Sequence, residues 1–179
     1  DYPIGWAWDK LISRKLIEKY DLKFSELSSS NDLSFTYGAY FLAEKVVKIP
    51  NFLVFRRIRE NSISQNKNEE NAFLALLELK NILIKFNKFD GKDGKRAAFS
   101  DIALRLIFWL YNSAKTKASR RKVIKLIKKY EKDLKLLELK KVKYKKCMNF
   151  YSIAYKSKNH TDFCINYILK KFLKISIPF

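Results

Sequence analysis

Apolar residues in this chain recur mostly at three- and four-residue intervals, the signature of helices that bury one face. Over 8–20, "WDKLISRKLIEKY", Leu11, Ile12, Leu16 and Tyr20 stand at that spacing with Lys and Arg between them. A polar interval, "SELSSSN", precedes a second helix expected from about Asp32 to Val46, with Leu33, Tyr37, Tyr40 and Phe41 as its stripe. "IPNFLVFRRI" at 49–58 is short, β-branched and aromatic and opens near a proline, so the pattern predicts a strand there. From Glu69 the pattern returns to helix, through Ala72, Ala75, Leu76, Leu79, Ile82, Leu83 and Phe86. "DGKDGK" (90–95) interrupts it. Phe99, Ile102, Ala103, Leu106, Trp109 and Leu110 mark a further helix, and Val123, Ile127, Tyr130, Leu134 and Leu137 the stripe of a basic one. "HTDFCINYILKKFLKI" predicts a closing helix.

Composition agrees with a mostly helical chain. Only 4 Gly and 3 Pro occur in 179 residues, too few for the turns of a many-stranded sheet, and a 47% apolar content excludes overall disorder. Two cysteines, Cys147 and Cys164, are too few for a disulfide framework and lack zinc spacing. His160 lies one helical turn before Cys164, an arrangement that pairs a thiol with a base, but no orienting third group is visible nearby in sequence. "DGKDGK" resembles the opening of a calcium loop yet lacks its alternating oxygen ligands and distal Glu, and reads as a solvated turn. The longest nearly uncharged apolar run, "LIFWLY" (106–111), is too short to cross a bilayer, and no signal peptide is visible. The chain starts at Asp1, already inside patterned sequence, which reads as a fragment whose upstream part is missing.

Charge then divides the chain. Residues 1–64 carry a net +2, and residues 65–179 a net +18 of the total +20. Lysine-rich, Asn/Ile/Phe/Tyr-rich composition is also what AT-rich coding sequence yields, so charge alone does not name a partner.

Three motifs stand in order within the nearly neutral segment. Trp8, Lys10, Leu11 and Arg14 form W-x-K-L-x-x-R; Asn31-Asp32 opens a helix about twenty residues later; Arg57, Arg59 and Ser62 end the expected strand as R-x-R-x-x-S. Together, over residues 4–66, they resemble the acceptor-side half of family 2 glycosyltransferases of the GT-A fold. The match departs in two places: Asn31 stands where the family has Glu, and Arg56 where it has Tyr.

The resemblance implies an inverting transfer of a sugar from a nucleotide-sugar donor to a hydroxyl of a cell-surface glycan. Such a step needs a carboxylate within hydrogen-bond reach of the attacking hydroxyl. The family's Asp has that role, which makes Asp32 the expected base. Locally, Ser29-x-x-Asp32 also fits a capping box, with an acid suited to the helix dipole, and both readings stay open. Substrate contacts are expected from Trp6, Trp8, Lys10, Asn31, Arg57, Arg59 and Ser62. The tryptophans offer apolar faces for a sugar ring or serve as core aromatics. Lys10 holds the site together or forms a surface pair with Asp9. Arg57 and Arg59 suit diphosphate oxygens or structural carboxylates equally. The family also binds Mg or Mn through an Asp-x-Asp motif on an upstream nucleotide-binding half. No Asp-x-Asp occurs in these residues, so the metal is expected upstream and the isolated chain is expected to be inactive.

The expected architecture is therefore mostly α. Residues 1–66 form the end of an α/β GT-A domain, with two helices and a short strand or two, and 67–179 a helical basic extension. Residues 115–146 carry 15 Lys/Arg against 3 Asp/Glu. That density suits an anionic membrane surface at about 1 kcal/mol per nearby basic residue, consistent with an enzyme peripheral to the inner face of a bacterial membrane. Nucleic acid is the alternative partner of a non-catalytic basic module, though no nucleic-acid motif accompanies the charge. A scaffold that has lost the transfer function is a third reading.

Overall fold

A computed structural model describes residues 5–51, 54, 55, 57, 68–89, 95–138 and 144–172, with side chains to 168. The described residues are mostly helical and contain no strand. Among the described residues seven helices run in order: α1 Arg14–Tyr20, α2 Leu33–Leu42, α3 Glu69–Lys85, α4 Lys95–Ser113, α5 Lys117–Leu134, α6 Lys145–Lys156 and α7 His160–Phe172. The chain divides into two compact units, 1–96 and 97–179. The composition change near residue 67 falls inside the first unit, and α3 packs with α2.

In the first unit, α2 is buried almost all round: Leu33, Ser34, Phe35 and Thr36 are four buried residues in succession. Leu22, Phe35, Ala39 and Leu42 form a core closed by Ile12, Leu16, Ile17 and Tyr20 on one side and by Ile82 of α3 and its C-cap Phe86 on another. Phe24 stacks on Phe35 with ring centroids 4.2 Å apart. Asn68 caps α3, its Oδ1 accepting from the Glu70 amide at 3.2 Å, and Glu69 and Glu70 oppose the helix dipole in the first turn.

Several sequence expectations shift here. The first helix starts at Arg14, not near Trp8, and Leu11 is fully exposed rather than part of a stripe. The reason is a local knot: Lys10 Nζ donates to the Trp6 carbonyl at 2.8 Å and pairs with Asp9, while the Lys10 amide bonds Ala7 O, so residues 6–10 form a turn. The second helix ends at Leu42, short of Val46, and Tyr37 and Tyr40 are only half-buried. Of the expected strand, the described residues 49–51, 54, 55 and 57 are irregular; residues 52, 53, 56 and 58 lie outside the described set. A strand needs a ladder partner, and no second strand exists among the described residues.

In the second unit, Phe150 of α6 is the hub. Its ring meets Phe108 and Tyr111 of α4 at 5.3 and 5.0 Å, and Phe163 and Tyr167 of α7 at 5.4 and 6.1 Å. Basic α5 buries Val123, Ile124, Leu126, Ile127, Tyr130 and Leu134. Thr116 caps it, with Oγ1 accepting from the Ser119 amide at 3.1 Å. At its far end the buried Glu131 carboxylate accepts from the Leu136 and Leu137 amides and, at 2.6 Å, from the Tyr151 hydroxyl. That contact and burial push the Tyr151 phenol far above its ordinary value, so it stays a donor. α6 is an element the hydrophobic pattern did not separate from the basic run. On α4 the buried face is rotated from the expectation: Leu104 and Ile107 are enclosed, Leu106 is half-buried and Trp109 is exposed. Leu137 lies in a 3₁₀ turn, Leu136–Glu138, and not on the α5 stripe.

Candidate functional site

Asp32 stands at the N-cap of α2 and its carbonyl accepts the Thr36 amide at 2.9 Å, but its side chain makes no capping bond. The capping box expected from Ser29-x-x-Asp32 is not formed. Ser29 is buried and turned the other way: its Oγ and that of Ser28 both accept from Asn71 Nδ2 of α3, at 3.2 and 2.9 Å. Ser30, at φ 60°, takes the left-handed turn that lets the backbone reverse. The loop is closed at its base by Ser25, whose amide and Oγ both donate to the Asn31 carbonyl, at 3.0 and 3.2 Å. Ser34 Oγ then donates to Glu78 Oε2 of α3 at 3.0 Å. Every tie holds the backbone on either side of Asp32. The Asp32 carboxylate itself, half-buried, has no hydrogen-bond or ion-pair partner among the described residues. Asn31 is exposed, and it contributes its carbonyl to the loop.

The tryptophan segment is anchored to the same helix. Gly5 lies so close to Tyr37 of α2 that an added Cβ would come within 2.8 Å of the ring. From there Trp6 and Trp8 project and stack on one another, centroids 5.0 Å apart and planes 18° from parallel. They are 36% and 46% exposed, so they form a surface platform and not a core pair. Lys10 fastens the turn between them through Trp6 O and Asp9. Arg57 is exposed with no ion pair among the described residues. Arg59 and Ser62 lie outside the described residues, as do residues 90–94 of the calcium-like turn.

The thiol–imidazole pair does assemble in the second unit, with a third group that sequence spacing could not show. Cys164 Sγ lies 3.7 Å from His160 Nδ1, and the Tyr111 hydroxyl of α4 lies 3.3 Å from Nε2. The third group is a phenol and not the carboxylate that orients a catalytic imidazole. Burial and Cys164 push the Tyr111 hydroxyl up to about 12. Burial, then Arg121, Arg120 and Lys117 of α5, hold His160 below its ordinary 6.5. This gives a pH expectation. A histidine depressed in the folded state stabilises the fold fully above the unfolded value and loses that contribution as pH falls through the folded one. Thermal melts should therefore show stability declining below pH 6.5, and His160→Gln should flatten that part of the curve. An unchanged pH profile in the variant would contradict the assignment.

Among the described residues no three His, Cys, Asp or Glu side chains form a metal-binding group. No described helix is long and apolar enough to cross a membrane. No family model matches the chain, and neither a curated protein nor a solved structure matches it.

Proposed function

We propose that residues 1–66 form the acceptor-side end of an inverting family 2 glycosyltransferase, joined to a donor-binding half that the longer protein would carry upstream. The observation that carries this reading is the Asp32 carboxylate. Among the described residues it has no partner at the head of a buried helix, while Ser25, Ser28, Ser29, Ser34, Asn71 and Glu78 fix the backbone around it. A carboxylate needed only for capping would be bonded to the helix amides. In the proposed step an acceptor hydroxyl gives its proton to Asp32 as its oxygen forms a bond to the anomeric carbon. The bond from that carbon to the diphosphate breaks, and the nucleoside diphosphate departs. The Trp6–Trp8 platform would take an apolar sugar face. Arg57, with Arg59 and Ser62 beyond it, is assigned to the donor diphosphate or acceptor. The metal would be held upstream through Asp-x-Asp; no step above passes through it.

The test is a sugar-transfer assay on the longer protein with nucleotide-sugar donors and a hydroxyl-bearing glycan acceptor. Transfer with inversion supports the reading, and residues 1–179 alone should be inactive. Turnover by 1–179 alone, or an upstream region that holds no nucleotide-binding half, would overturn it. The basic surface of α5 favours a second role in the same enzyme: contact with an anionic membrane, at the inner face of the bacterial cell membrane in this reading. Nucleic acid is the competing partner, and binding to RNA or DNA but not to anionic liposomes would select it.

A further inference from the structure

The second unit holds a cleft of about 350 Å³ between α5 and the turn that leads into α7, lined by Arg121, Lys125, Lys128, Lys158, His160 and Thr161 among others. We propose that this cleft binds a phosphate-bearing ligand, a phosphomonoester or a diphosphate. The inference is independent of the role given to Asp32.

The charges in the cleft are unbalanced. Arg121, Lys125 and Lys158 have no carboxylate partner among the described residues. The acids nearest in sequence are engaged elsewhere. Asp162 accepts from the Lys158 amide and from Asn166 Nδ2, and Glu131 is held by Tyr151 and two backbone amides. Like charges gathered without a counter-ion repel one another, and a ligand of opposite sign relieves that repulsion. Burial first, and then the nearby charges of Arg121, Arg120 and Lys117, hold His160 below its ordinary value.

The wall is also pre-built. Lys128 spends its ammonium on the Ser157 and Lys158 carbonyls, fastening the turn to α5. Asn159 Oδ1 then caps α7 through the Asp162 amide at 3.0 Å, which leaves the His160 and Thr161 amides of the first turn without intrahelical acceptors. Guanidinium and ammonium donors in one concavity match phosphate oxygens. The volume exceeds that of a bare ion and falls in the range of small-molecule sites.

His160 is the chain's single histidine, so its ring resonances are assigned without ambiguity and sit at the wall of this cleft. The experiment titrates the full chain with inorganic phosphate and with pyrophosphate at constant ionic strength, following His160 by NMR. A saturable shift is expected, and Arg121→Ala with Lys125→Ala should weaken binding by about tenfold or more. Lys15→Ala with Lys48→Ala removes the same charge from the first unit and should leave binding unchanged. Vesicles of phosphatidic acid in phosphatidylcholine, against phosphatidylcholine alone, separate the two sources. Binding to the acidic vesicles that pyrophosphate displaces assigns the cleft to a lipid headgroup. Pyrophosphate binding with no vesicle binding assigns it to a free ligand; either supports the proposal. A His160 resonance that neither phosphate, pyrophosphate nor vesicles moves overturns it, and so does equal loss from both variant pairs, which would reduce the effect to overall charge.

Discussion

Asp32→Asn in the longer protein is expected to lower sugar transfer by about 10²–10⁴-fold while leaving the fold intact. The two halves of that expectation have separate physical sources. The rate falls because an amide cannot accept the acceptor's proton. The fold survives because the carboxylate has no bonded partner to lose among the described residues, and Asn is as good an N-cap as Asp. Melting should therefore change by no more than a surface substitution does, within about 0.5 kcal/mol. Asn71→Ala makes the useful contrast. It removes the donor that holds Ser28 and Ser29, so it should loosen the loop and lower stability and transfer together. Near-normal transfer by Asp32→Asn with an unchanged melt would remove Asp32 from the mechanism. A marked fall in stability would instead return it to a capping role.

The helices were legible where the apolar period was long and uninterrupted. α3 follows its stripe from Ala72 to Leu83, and the α5 stripe from Val123 to Leu134 is buried as its spacing implies. What the sequence could not show were bonds between residues distant in the chain. Ser29-x-x-Asp32 matches a capping box, yet Asn71, 42 residues away, takes Ser29. Trp8 to Tyr20 has helical spacing, yet the Lys10–Trp6–Asp9 knot holds its first part in a turn. α6 was hidden because Lys140, Lys141, Lys143, Lys145 and Lys146 crowd the approach to its first turn, so charge masked the stripe of Cys147, Phe150, Tyr151 and Ala154. Tyr111 as the third member of the His160–Cys164 cluster is 49 residues from the imidazole and belongs to another helix. For the candidate site, the sequence supplied Asp32, the tryptophans and Lys10. Only the fold showed that the carboxylate has no partner among the described residues and that the indoles face outward.

Phe150→Ala is expected to cost about 3–5 kcal/mol, the range for deleting a large buried aromatic side chain. Phe150 is 1% exposed, and its ring is the shared contact of two rings on α4 and two on α7. Removing it forfeits the transfer energy of the ring and leaves a void that four aromatic neighbours, three packed edge-on and Tyr111 tilted, cannot readily fill. Phe150→Leu keeps most of the volume and should cost less. In urea titration followed by far-UV circular dichroism, Phe150→Ala should lower the midpoint sharply, with Phe150→Leu in between. A local consequence separates this from general loosening. Tyr111 touches both Phe150 and His160, so even the milder Phe150→Leu should shift the His160 resonance under conditions where the chain is fully folded. A loss below about 1 kcal/mol on Phe150→Ala would be that of an ordinary site, and the ring would then not be the hub that joins α4, α6 and α7.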